Sequence, residues 1–274
     1  MTRLVEKDVK DIDKTLKDYD DFFKRQTGCY MCEIACRAAG ITEILPGYKI
    51  AVVPSTTGEG IISGFSESVC AILKHCTLDA FVTSRCDVDG IYEAIQKGAD
   101  MIFSADDDRF IAFGTAVRAV AENGICTGEG FAEALLCSMR DQSRKVLILG
   151  ASSVGRAAAG YLAEKKVPVD MYDTNADVLK NACAGERLIE KLSSSPVLKK
   201  YTYIYDATTS GDFITEKDVS AETVIAAPGM PRGITEKACE IATVIHNPLE
   251  LGVITMYYVC AKQMYLKERE MGIR

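Results

Sequence analysis

Apolar residues recur at three- and four-residue intervals from Val5 to Lys24, through Val5, Val9, Ile12, Leu16, Tyr19 and Phe23, with charged positions between them. That spacing predicts one amphipathic helix with a solvated outer face. A second, short helix is predicted over Tyr30–Ala39, ending at Gly40. Three apolar, strand-like runs follow, at Tyr48–Val53, Ala80–Thr83 and Met101–Ser104, each succeeded by a polar or acidic loop and a helical stretch. Strand–helix alternation of this kind predicts a small parallel sheet.

A helix over about Phe131–Arg140 leads into the polar segment Asp141-Gln142-Ser143-Arg144, after which a new alternation starts at Lys145–Gly150. Further strands are predicted at Val169–Tyr172, Tyr203–Asp206, Thr223–Ala226 and Thr243–Ile245, and Gly252–Glu268 has helical spacing. The expected architecture is α/β in two domains. Residues 1–142 form the first, residues 143–251 the second, and a C-terminal helix, 252–274, packs back on the first to enclose a cleft. A length of 274 residues fits two domains.

Composition narrows the partners. Lys and Arg total 32 against 39 Asp and Glu, a net charge of −7, with no basic block, which argues against nucleic acid. The longest nearly apolar stretch, Leu251–Ala261, is about half of what a bilayer requires, and the N-terminus does not read as a secretory leader, so a cytoplasmic protein is expected. Its eleven cysteines are then expected to be reduced thiols. Cys29, Cys32 and Cys36 have a spacing at which thiolates bind zinc or an iron–sulfur cluster. The same spacing places them on one helical face as small buried hydrophobes, no fourth ligand follows, and no metal is expected.

The segment Gly150-Ala151-Ser152-Ser153-Val154-Gly155 leaves an apolar strand and opens an Ala-rich helix. Dinucleotide binding needs a tight turn out of the strand, a small residue where the backbone meets a pyrophosphate, and close helix–sheet packing. Gly150, Ser152 and Gly155 supply these in order, with serine at the second glycine position of G-x-G-x-x-G. The helix N-terminus presents free amides to the pyrophosphate. Asp173 ends the next strand about 20 residues on, where a carboxylate accepts hydrogen bonds from the adenosine ribose and repels a 2′-phosphate. The second domain is therefore expected to be Rossmann-type and to bind NAD rather than NADP.

Later loops at predicted strand ends should also meet the cofactor: Thr208 and Thr209, Pro228 and Gly229, then His246 and Pro248. His246 is the natural acid/base candidate there, and equally a histidine hydrogen-bonded in a turn. His75 ends a helix and reads as structural. In the first half, Pro54–Ser68 is a long glycine-bearing loop able to fold over a substrate. Asp106, Asp107 and Asp108 cluster at a strand end. Like charges this close suit a bound cation, or a solvated turn with an aspartate cap.

These residues carry a resemblance over nearly the whole chain. Cys36-Arg37-Ala38-Ala39-Gly40-Ile41-Thr42-Glu43, Gly60-Ile61-Ile62-Ser63-Gly64-Phe65-Ser66-Glu67-Ser68-Val69, Ala105-Asp106-Asp107 with Arg109-Phe110, Thr127-Gly128-Glu129-Gly130 and Pro248-Leu249-Glu250 resemble the 3-methylornithyl-N6-lysine dehydrogenases that complete pyrrolysine biosynthesis. The resemblance implies NAD-dependent oxidation of a primary amine on 3-methyl-D-ornithyl-N6-L-lysine. The imine is hydrolysed to an aldehyde, and the aldehyde closes on the neighbouring amine to give the pyrroline ring of pyrrolysine.

It also implies roles. Ser55, Ser63 and the amides around Ile61, Ile62 and Phe65 bind the polar ends of the substrate, Leu4 and Phe65 its aliphatic chain, and Asp106 or Asp107 an ammonium group. A homodimer is implied, with the C-terminal helix contributing. The rival readings are a shikimate-dehydrogenase-like or dipicolinate-synthase-like NAD(P) oxidoreductase and a non-catalytic NAD-binding sensor. A shikimate-type enzyme should carry a lysine just after its substrate loop, and none stands between Pro54 and Ser68.

Overall fold

The computed structural model describes residues 4–182 and 185–273. The opening helix is two pieces, α1 (Glu6–Val9) and α2 (Ile12–Thr27), because Asp11 turns left-handed between them at φ 62°. Val9, Ile12, Leu16 and Phe23 keep the apolar stripe buried across that break. α3 (Met31–Ala38) follows as expected.

β1 (Ile50–Val53) leads through a long loop into α4 (Phe65–His75), then β2 (Ala80–Val82), α5 (Asp87–Gln96) and β3 (Met101–Ala105). β1 lies between β2 and β3, parallel to both. All four of its residues are buried, which is why it reads as a continuous apolar run. The sheet is not all parallel, however. β4 (Phe110–Gly114) runs antiparallel to β3, and β5 (Val120–Glu122) antiparallel to β4, in the order β2-β1-β3-β4-β5. Ala105 pairs with Phe110, so the acidic run read as a strand-to-helix loop is a hairpin turn. It is far too short for a parallel crossover.

α6 (Asn123–Ser138) begins well before the predicted Phe131. Gly124, Gly128 and Gly130 hide it from propensity, since each glycine weakens a helix. Their use is close packing. A Cβ on Gly128 would overlap the Val154 carbonyl of α7 (Ser153–Glu164), and one on Gly130 would overlap Thr255 of α10 (Glu250–Glu270). α6 is thus the spine between the halves. Tyr161 of α7 donates its hydroxyl to buried Glu133 of α6 at 2.9 Å.

The second sheet holds β6 (Val146–Leu149), β7 (Val169–Tyr172), β8 (Ile189–Lys191), β9 (Tyr203–Asp206), β10 (Val224–Ala226) and β11 (Thr243–Ile245). Only β8 went unpredicted. The order is β11-β10-β9-β6-β7-β8, with every pair parallel. This is the doubly wound Rossmann order, with its switch point between β6 and β9. α10 returns to pack on α3, α4, α6, β4 and β5. No helix among the described residues is long and apolar enough to cross a membrane.

The expectation of reduced thiols throughout is corrected at one place. Cys32 and Cys76 form a disulfide with Cα atoms 6.3 Å apart, inside the range such bonds need. Packing of α3 beside the C-cap of α4 brings together residues 44 apart in sequence, which local spacing could not show. Cys29 is a buried free thiol and Cys36 a half-buried one. Among the described residues no group of histidine, cysteine or acidic side chains is placed to hold a metal ion.

Candidate active site

Loops from both sheets converge on one open cleft of about 220 Å³. On the second-sheet side, Gly150 has φ +92° and a Cβ there would overlap the Ala207 carbonyl, while a Cβ on Gly155 would overlap the Gly150 carbonyl oxygen. These are the tight-turn and close-packing positions of the loop. Ser152 stands at the N-cap of α7 with its hydroxyl free of any capping bond, and it lines the cleft with Val154. A small exposed residue before a helix N-terminus leaves room for a pyrophosphate, so this cradle fits a dinucleotide. Ala151 is fully buried and donates its N–H to Asp173 Oδ2 at 2.7 Å. Asp173 is thereby fixed beside the loop.

Thr208 and Thr209 line the cleft because buried Asp206 ties their loop down. Asp206 Oδ1 accepts the Thr208 hydroxyl at 2.7 Å and its N–H at 3.1 Å, and Oδ2 accepts the Gly233 N–H at 3.2 Å. Burial pushes the Asp206 carboxyl up, against the pull of these bonds. Pro228, Gly229 and Pro248 line the cleft as well; His246 does not. Its Nδ1 lies 2.5 Å from the Ala227 carbonyl oxygen. Burial lowers its pKa, so the ring is a neutral donor that holds the Pro228–Gly229 loop.

On the first-sheet side, Leu4, Ser55, Ile61, Ile62, Phe65, Asp106 and Asp107 all reach the cleft. Phe65 stacks edge-on against Phe110, ring centroids 5.3 Å apart. Ser63 does not reach it. The chain turns left-handed at Gly64 (φ +79°), and Ser63 faces a groove beside Glu6, Val9 and Lys10. Asp106 Oδ1 accepts the N–H groups of Asp108 and Arg109 at 2.9 and 2.7 Å, and Asp107 Oδ2 accepts the Glu59 N–H at 2.7 Å.

The family described as "Pyrrolysine biosynthesis protein PylD, N-terminal domain" matches residues 7–121. Pyrrolysine synthase of Methanosarcina acetivorans is 33% identical over 260 residues, covering 94% of this chain and 99% of that protein. The chain belongs to the pyrrolysine synthase family. The Methanosarcina barkeri pyrrolysine synthase is 34% identical over 260 residues, with 94% and 97% covered. Among solved structures, shikimate dehydrogenase from Aquifex aeolicus shares the fold at a TM-score of 0.51 and 13% identity, covering 81% of this chain and 94% of that one. Quinate dehydrogenase from Corynebacterium glutamicum, solved in complex with NAD, gives 0.50 and 12%, covering 83% and 99%. The fold is that of the NAD(P) dehydrogenases, and the family places the chain in pyrrolysine biosynthesis.

Several polar residues that line the cleft, Thr57, Ser66 and Ser104 among them, were not singled out from the sequence, and three more stand out. Asn123 and Thr127 lie one turn apart on α6, where the Thr127 hydroxyl donates to Asn123 Oδ1 at 3.1 Å. Their i, i+4 spacing was the available signal, hidden because the glycines concealed the helix. Arg109 is the third, overlooked as the end of an acidic run.

Proposed function

We propose that this protein oxidises 3-methyl-D-ornithyl-N6-L-lysine at the CH–NH2 carbon of the ornithine end, with NAD taking the hydride; water hydrolyses the imine to the semialdehyde with release of ammonia, and the semialdehyde closes on the neighbouring amine with loss of water to give pyrrolysine. The observation that carries this reading is a single cleft that gathers a dinucleotide loop, an acidic turn and apolar walls between the two sheets. The two halves act as a substrate domain, residues 1–142 with the helix of 252–274, and a cofactor domain, residues 143–251.

Gly150, Ala151, Ser152, Ser153, Val154 and Gly155 would cradle the pyrophosphate, with Asp173 on the adenosine ribose. Thr208, Thr209, Pro228, Gly229 and Pro248 would border the nicotinamide end, with His246 supporting that loop from behind. When bound, NAD supplies the hydride acceptor. The chain's own residues orient the substrate and exclude bulk water: Leu4, Ile61, Ile62 and Phe65 cover its aliphatic part, and Ser55 meets a polar end. A carboxylate beside the reacting amine would hold it as ammonium and oppose hydride loss. Asp106 or Asp107 therefore holds a non-reacting ammonium group. Ring closure is intramolecular and needs no dedicated group.

Purified protein incubated with NAD and this substrate should produce NADH and pyrrolysine, followed by absorbance and mass spectrometry. No NADH with this substrate would sink the reading. Light scattering on the same sample reads the homodimer that the family resemblance implies.

A further inference from the structure

Arg109 is the one cationic side chain among the described residues that line the cleft. It closes a turn that holds three aspartates, yet its guanidinium forms no ion pair or hydrogen bond with any of them or with another described residue. The Asp106 and Asp107 carboxylates are each held through one oxygen by backbone N–H groups. The Asp106 N–H donates to the Arg109 carbonyl at 2.8 Å, and Asp106 Oδ1 takes the Asp108 and Arg109 N–H groups. Asp107 is bound to the loop after β1 through the Glu59 N–H. The Arg109 backbone is thus fixed from two directions while its side chain stays available. Asp108 beside it is exposed, and its carboxylate has no partner among the described residues.

We propose that Arg109 is the carboxylate anchor of the substrate site, binding the α-carboxylate of the lysine portion, with Asp108 facing the adjacent α-ammonium. This rests on the amine-dehydrogenase reading and deepens it. The substrate has one carboxylate, because the ornithine carboxyl is consumed in the amide link. Among the described residues that line the cleft, the charged side chains are three aspartates and Arg109, so of these charged groups Arg109 alone attracts a carboxylate. A planar guanidinium matches a carboxylate in two parallel hydrogen bonds, and Leu4, Phe65 and Phe110 line the same cleft beside the exposed Arg109. Arg109 therefore fixes which way round the substrate lies. The lysine end sits at the β3–β4 turn, and the reacting amine extends toward Thr208 and Pro228.

The test compares the substrate with its analogue in which the lysine carboxylate is a primary amide, following NADH formation by wild type, Arg109→Leu and Arg109→Lys. Wild type is expected to prefer the acid by about ten- to a hundredfold in kcat/KM, the range of a charge-assisted bond. Arg109→Leu should lose activity on the acid by a similar factor through KM, treat acid and amide alike, and keep its NAD affinity. Arg109→Lys should retain part of the preference. Indifference of the wild type to the amide, or a preference surviving in Arg109→Leu, overturns the anchor. Absence of NADH from the wild type with the natural substrate instead overturns the parent reading.

Discussion

Asp107 Oδ2 accepts the Glu59 N–H at 2.7 Å, so the loop after β1 and the turn between β3 and β4 move as one wall of the cleft. Gly58, just before that contact, has φ +68°, and a Cβ there would overlap the Asp107 carboxylate. Gly58→Ala must displace the wall as well as adopt a left-handed backbone, at a cost of about 1 kcal/mol or more. The substrate KM should rise several-fold. NAD affinity, measured by fluorescence titration, should be unchanged, because Gly150 and its loop belong to the other sheet. Equal losses in both would refute the separation of roles.

Asp173 should decide between the two nicotinamide cofactors. Its carboxylate is held by the Ala151 and Asn175 N–H groups at 2.7 and 2.8 Å, and so stays where the proposed function puts the adenosine ribose. Asp173→Ser should weaken NAD by about tenfold, the value of one or two hydrogen bonds to a charged group, and improve NADP relative to NAD. Isothermal titration with both cofactors reads this directly. An unchanged ratio would remove Asp173 from the cofactor site.

The disulfide makes a stability prediction. Linking Cys32 to Cys76 closes a 44-residue separation, which by loop entropy contributes at most about 4 kcal/mol. Cys32→Ser or a reductant should lower Tm by up to about seven degrees at this chain size. Thiol titration in denaturant should rise by two on reduction. A titration that does not rise means the bond is absent in solution.

Much of this fold was legible because apolar periodicity and the Gly150–Gly155 loop are local signals: each strand of the second sheet except β8 lay where its residues put it. The losses share a cause. β8 is three residues long with one of them buried, so it carries too little pattern. α6 was masked by glycines whose use is contact with α7 and α10, and Cys76 meets Cys32 only after α3 and α4 have packed. In the candidate site, strand-end residues such as Thr208 and Pro228 could be named from position alone. Ser63 could not, because one left-handed glycine turns it away, and the role of His246 depended on a carbonyl 19 residues upstream. What the sequence withheld was long-range geometry.

Glu250 offers a pH-dependent test of burial. It is fully buried at the start of α10; Oε2 accepts the Leu249 N–H at 3.1 Å, while Oε1 has no partner among the described residues. Burial raises its carboxyl above the ordinary value of 4.5, outweighing the help the helix dipole gives an anion there. The folded state then keeps a proton that the unfolded state releases. Its contribution is full below the unfolded value and is lost as pH climbs through the raised folded one. Glu250→Gln keeps the shape and removes the titration. It should be more stable than wild type by about 1–3 kcal/mol near pH 8, with the difference shrinking toward about pH 5. Asp206 is also pushed up by burial, so both proteins should lose some stability as pH rises, and the gap between their melting curves isolates Glu250. A glutamine variant less stable than wild type near neutral pH would mean that the ionised carboxylate is satisfied in solution.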